Sequence, residues 1–138
     1  MINQMGERES RALLSGEFTG RLGCSDHGKP YIVPVHYVYD NDCVYVLSQP
    51  GHKIDVLRGN PNACLQVDEI KDDEHWRSVL AFGLYEEIDD GKERERILAN
   101  LSKRFPHTTV EPHTGNGASE SIVFRIRVTD ITGVYENQ

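Results

Sequence analysis

Leu47-Ser48-Gln49-Pro50-Gly51-His52-Lys53 joins a short, almost wholly apolar run, Cys43 to Leu47, to a segment in which Ile54 and Leu57 recur at helical spacing. The first run reads as a strand and the second as a helix of barely two turns that stops at Gly59, Asn60 and Pro61. Pro50 and Gly51 break the extended pattern, so strand passes directly into helix. At such a junction a hydroxyl (Ser48), a closely approachable backbone (Gly51), an imidazole (His52), an ammonium (Lys53) and the free amides of a helix start converge. A phosphate needs those groups, because helix-start amides carry partial positive charge and Lys supplies a full one. The same residues also suit a capped helix start with His52 and Lys53 solvated, and this stretch alone leaves both readings open.

Toward the N-terminus, Tyr31 to Tyr39 is an extended run, and the turn Asp40, Asn41, Asp42 pairs it with the Cys43 strand. Before it, Phe18 to Cys24 forms a hairpin partner through the turn cluster Ser25, Asp26, His27, Gly28. Met5 to Leu14 is rich in helix formers and precedes Gly16, which predicts a helix packed as a lid. Toward the C-terminus, Ala63 to Val67 reads as a strand and the acidic run Asp68 to Glu74 as a solvated loop. From Trp76 to Ile88 both alternating sets carry apolar residues, as in a strand covered on both faces in a barrel or an interface. Ile97, Leu98, Leu101 and Phe105 mark an amphipathic helix after Asp90 and Gly91, ended by Pro106. Residues 107–120 lack periodicity and hold Pro112, Gly115 and Gly117, which predicts a long loop; His107 and His113 read there as solvent-facing. Ile122, Phe124, Ile126 and Val128 alternate as a half-buried strand.

The whole chain, residues 1–138, reads as one domain: no repeat or linker divides it, and its length suits a single core. Six strands with short turns and two or three helices predict a mainly β fold, a six-stranded antiparallel barrel with flanking helices. The formal charge of -7, from 22 acidic against 15 basic residues, argues against nucleic acid or an anionic membrane as partner. Without a signal-like start or a membrane-spanning apolar run, the expected location is the cytoplasm. Cys24, Cys43 and Cys64 form neither a CxxC pair nor an even set, and read as small buried hydrophobes.

Two further stretches bear on chemistry. In Val33-Pro34-Val35-His36, Pro34 cannot donate to a ladder, so this strand is an edge, a bulge or an opening, free to meet a planar heterocycle or simply blocking unwanted pairing. In Trp76-Arg77-Ser78-Val79, followed by Gly83, the aromatic reads as core or as a site wall and the glycine as a bulge. No GxSxG elbow, HExxH or zinc-spaced Cys and His set is present, so no metal site and no catalytic residue can be assigned from motifs.

Gly20, Pro30, Val33-Pro34-Val35, Tyr37, Tyr45, Gly51, Lys53, Asn60-Pro61, Trp76, Ser78-Val79 and Gly83 stand in the order found in the FMN-binding split-barrel proteins related to pyridoxamine 5'-phosphate oxidase. The chain resembles most the small subgroup that includes nitroimidazole-resistance proteins. That resemblance implies a split β-barrel, a homodimer, and FMN in clefts between the subunits. It implies that His52 and Lys53 hold the phosphate with Leu47, Ser48 and Gly51, and that Val33, Pro34, Val35 and His36 line the isoalloxazine and ribityl chain. Trp76, Arg77 and Ser78 would reach the same flavin from the partner. The implied activity is that of an FMN-dependent oxidoreductase of a small organic substrate, supplied by a reduced nicotinamide or another donor. The alternative is a non-catalytic FMN or haem store or sensor on the same fold. The chain ends soon after Val134, without the arginine-bearing segment that grips pyridoxine phosphate, and has Leu47 where many of the small subgroup have His. Neither pyridoxamine phosphate oxidation nor antibiotic inactivation is therefore expected.

Overall fold

The computed structural model describes residues 1–107 and 121–137. Its elements run β1 (Ile2–Met5), α1 (Glu7–Gly16), β2 (Thr19–Asp26), β3 (Lys29–His36), β4 (Val38–Asp40), β5 (Cys43–Ser48), α2 (His52–Gly59), β6 (Asn62–Asp72), β7 (His75–Glu87), α3 (Gly91–Arg104) and β8 (Ile122–Asn137). The strands form one antiparallel sheet in the order β3-β2-β6-β7-β8-β5-β4, with β1 paired to the end of β8. β3 and β4 stand at opposite ends of that order, yet only Tyr37 separates them in the chain. The sheet therefore has to curl until its ends meet, which makes a barrel. Tyr37 is fully buried at this corner, and its hydroxyl donates to the Leu14 carbonyl at the end of α1.

The barrel interior is filled from alternate positions of its strands, among them Leu22, Val44, Val46, Leu65, Val67, Val79, Phe124 and Ile126, with Ile54 and Leu57 of α2 entering from one end. A second, smaller cluster joins Ile97 and Leu101 of α3 to Cys43 and Tyr45 on the outer face of β5. β5 is thus buried on both sides, which is why its sequence is apolar almost without interruption.

The six expected strands are all present, and among the described residues the count rises to eight for two reasons. The extended run through Tyr39 breaks at Tyr37, where the chain crosses from one end of the sheet to the other. Ile2–Met5 carries no turn signal of its own and becomes a strand only through its pairing with residues 133–136. The acidic run from Asp68 is strand as far as Asp72, not loop, because Asp68, Glu69 and Ile70 lie opposite Ser78, Arg77 and Trp76 of β7 and Arg77 pairs with Glu69 at 3.1 Å. Gly83 does mark a bulge in the β7–β8 pairing; a Cβ there would stand 2.1 Å from the Arg127 carbonyl oxygen. His107 is exposed, as expected, while His113 and the rest of the expected loop lie outside the described residues. Among the described residues, no helix is long and apolar enough to cross a membrane.

Candidate functional site

The curl leaves one seam incomplete. β4 pairs with β5 only from Cys43 to Tyr45, so among the described residues the remaining length of β5, Val46 to Ser48, has a ladder partner on its β8 side alone. β3, which among the described residues pairs with β2 alone, turns its other edge toward the same gap, and Pro34 on that edge contributes no N–H. Two unpaired strand edges facing each other would normally zip together; here they splay and leave a pocket of about 200 Å³. It is lined by Pro34, Val35 and His36 of β3, Val46 and Leu47 of β5, Lys53 of α2, and Leu101, Ser102 and Phe105 from α3 and its end.

Lys53 enters because strand β5 passes into α2 with Gly51 as the first boundary residue and no side chain capping the helix start. Its Nζ donates to Ser48 Oγ at 2.7 Å, while the Ser48 hydroxyl donates to the Gln49 carbonyl at 2.8 Å, so Ser48 is held with its lone pairs toward the ammonium. Lys53 is half-buried, and among the described residues no carboxylate pairs with it. Burial pushes its ammonium below the usual lysine range. A desolvated cation in a pocket without a counter-charge is a site that an anion completes.

On the opposite wall, His36 stands across from Thr19 in the β2–β3 register, with its Nδ1 3.0 Å from Thr19 Oγ1. Its ring lies 5.0 Å from that of Phe105, tilted by 32°, and Phe18 meets Phe105 edge-on at 6.2 Å. Arg104 covers the Phe18 ring at 4.2 Å and donates to the Ser15 and Glu17 carbonyls, which fastens the end of α3 to the end of α1.

The residues singled out from sequence thus divide. Pro34, Val35, His36, Leu47, Ser48 and Lys53 come together around the seam. Val33 packs toward the barrel core instead. His52 turns away: its Nε2 lies 3.3 Å from Asp26 Oδ2, and its ring meets Tyr31 edge-on at 4.9 Å, outside the lining of the pocket. Helical geometry explains this, since neighbours on a helix diverge by about 100° and only one of His52 and Lys53 can face the seam. Trp76 and Arg77 line a different hollow with Glu9, Lys71 and Tyr135, and Ser78 accepts from Gln66 Nε2 on β6. Leu101, Ser102, Phe105 and Thr19 escaped sequence reasoning. Leu101 and Phe105 belonged to the apolar stripe of α3, but nothing in that stripe told which strands it would cover.

β7 also carries an exposed apolar set, Leu80, Phe82 and Leu84, on the face opposite the core. Phe82 lies in register with Cys64, which lies opposite Gly23, which lies opposite Ile32, so four strands contribute one row. Ile32 is 67 % exposed and Phe82 39 %. With Pro30, Ala63 and Leu80 they shape a hollow of about 630 Å³. Trp76 and Ser78 share this face by strand alternation. The Cys64 thiol beside it is pushed up by burial, away from nucleophilic character. Among the described residues no group of three or more His, Cys, Asp or Glu is placed to hold a metal.

Residues 6–134 match the family described as pyridoxamine 5'-phosphate oxidase. The chain belongs to that family. A protein of Rhizobium meliloti (strain 1021), described as uncharacterized, is 32% identical over 141 residues, which covers 96% of this chain and 93% of that one. The crystal structure of an FAD-binding protein from Mesorhizobium loti, 30% identical, superposes with a TM-score of 0.83 over 100% of this chain and 98% of the other. A putative 5-nitroimidazole antibiotic resistance protein from Bacteroides thetaiotaomicron, at 22% identity and a TM-score of 0.77, covers 98% of this chain and 88% of its own and shares the fold. The mainly β split barrel is therefore the architecture of this pyridoxamine 5'-phosphate oxidase family member.

Proposed function

We propose that this protein binds FMN, phosphate end against Lys53 and Ser48, and works as a homodimeric oxidoreductase of a small organic substrate. The observation that carries the reading is the half-buried Lys53 ammonium, held by Ser48 and facing a pocket that no carboxylate lines among the described residues. A phosphate supplies the missing negative charge, and the uncapped start of α2 adds amide donors beside it. Val35, Val46, Leu47 and Leu101 exclude water from that contact, which strengthens it. The similarity to a relative that is named as FAD-binding supports a flavin, and a seam with one lysine among the described residues favours the single phosphate of FMN.

The volume of about 200 Å³ suits a phosphate and part of a ribityl chain, and falls short of the roughly 300 Å³ at which pockets for whole ligands begin. The planar ring therefore needs a second wall. The exposed apolar row from Ile32 to Phe82 supports a second copy of the chain as its source, because a lone domain seldom exposes such a patch and Trp76 and Ser78 share its face. When bound, the flavin supplies hydride or electron transfer; the chain contributes charge, orientation and exclusion of water.

The test is the visible spectrum of the purified protein, its mass in solution, and anaerobic mixing with a reduced nicotinamide. A yellow dimer bleached by the donor is the expected result. A yellow dimer that no donor bleaches makes the protein a flavin store or sensor. A Soret band without flavin absorbance overturns FMN in favour of haem.

A further inference from the structure

Of the nine described residues that line the seam pocket, two are ionisable, and both become cations: Lys53 and His36. A phosphate monoester carries between one and two negative charges near neutrality. Lys53 balances one of them. His36 is built to balance the other. If its Nδ1–H donates to Thr19 Oγ1, as the 3.0 Å separation allows, that bond survives in the imidazolium and leaves Nε2–H free to donate elsewhere. The tilted Phe105 ring 5.0 Å away presents a face that also favours a cationic ring. His36 is exposed at the rim of the pocket, so it exchanges protons with solvent.

The charged groups around it oppose one another. Lys53 from α2 is a cation of the same pocket, while Arg104 from the end of α3 and Glu17, ahead of β2, carry opposite charges near neighbouring Tyr37. β5 presents only Val46 and Leu47 to the pocket. The arrival of an anion decides the balance.

We propose that His36, oriented by Thr19 and Phe105, is a second and proton-dependent cation of the seam, so that the protein takes up a proton when a phosphate ester binds. This rests on the reading of the pocket as an anion site but does not require that the anion be FMN. The expected consequence is affinity that rises as the solution becomes more acidic from about pH 8 toward about pH 6, where imidazole changes charge.

The experiment is calorimetric titration of the purified full chain in pairs of buffers with different ionisation enthalpies, with FMN, riboflavin and inorganic phosphate as separate probes. FMN binding with net proton uptake that vanishes in His36→Gln is the expected result, together with about tenfold weaker binding by that variant near pH 6 and little difference near pH 8. Thr19→Val should keep FMN binding but reduce the uptake, which a purely structural loss of Thr19 would not do. Equal proton uptake by wild type and His36→Gln overturns the proposal and leaves the flavin reading standing. Riboflavin binding with the same His36-dependent uptake also overturns it, because the proton would then follow the ring and not the phosphate. If FMN does not bind but inorganic phosphate does, with uptake lost in His36→Gln, the flavin reading fails and the proposal stands. If neither binds, both fall.

Discussion

Replacing Lys53 by Met should separate the stability of this protein from its binding. Lys53 is half-buried, and burial alone holds its ammonium below the ordinary lysine value of 10.5. A lysine whose folded value is depressed costs stability wherever the unfolded chain binds the proton more tightly. That cost is fully present below the folded value and fades as pH rises toward 10.5. Near neutrality Lys53→Met removes the cost and keeps a side chain of similar length. The cation also donates to Ser48, and the loss of that charge-assisted bond offsets the relief of desolvation. The ligand-free protein should therefore change little in Tm, because the two contributions oppose one another. FMN affinity should fall by the value of a charged hydrogen bond, about 1.5–3 kcal/mol, which is one to two decades in Kd. Flavin fluorescence quenching measures the affinity and differential scanning calorimetry of the stripped protein measures the stability. Unchanged affinity removes Lys53 from the site. Lost affinity with a strongly destabilised stripped protein makes Lys53 a structural residue and refutes the reasoning from desolvation.

Phe82→Asp places a charge in the row from Ile32 to Phe82 and should convert a dimer to monomers that no longer retain flavin, as read by light scattering with absorbance detection; monomers that stay yellow would mean that one chain completes the site. Gly83→Ala drives a methyl group into the Arg127 carbonyl and should cost about 2–4 kcal/mol in chemical denaturation, far more than the usual surface substitution. Tyr37→Phe leaves the Leu14 carbonyl without its buried donor and should cost about 1–3 kcal/mol by the same measurement. Glu86 is held below its ordinary 4.5 first by the side-chain bond from Arg125 and then by that from Arg127. Its contribution is present above that value and is lost as pH falls through the folded one, so Glu86→Gln should lower the neutral plateau and flatten the acid limb, with little change at the acid end where the carboxyl is already protonated.

Much of this was legible in the chain because it depends on local rules. Helix α2 follows from Pro50, Gly51, Ile54 and Leu57 within ten residues, and the bulge from a lone Gly83 inside an alternating strand. The edge position of β3 follows from Pro34, whose missing donor suits no central strand. The acidic strand end at Asp68 to Asp72 was illegible because its pairing with β7 overrides what composition says. β1 was illegible because four residues beside a chain terminus acquire strand character only from partners more than 120 residues away.

The same division runs through the site. By itself the sequence determined the kinds of groups at the β5–α2 junction, a hydroxyl, a glycine-bounded helix start and an ammonium, since each is a property of a residue and its neighbours. Only the tertiary structure decided which of them face the seam. The curl of the sheet aims Lys53 into the pocket and sends His52 to Asp26, and the packing of α3 brings Phe105 onto His36. Those choices depend on directions in space between elements far apart in the chain, and adjacency in sequence does not carry that information.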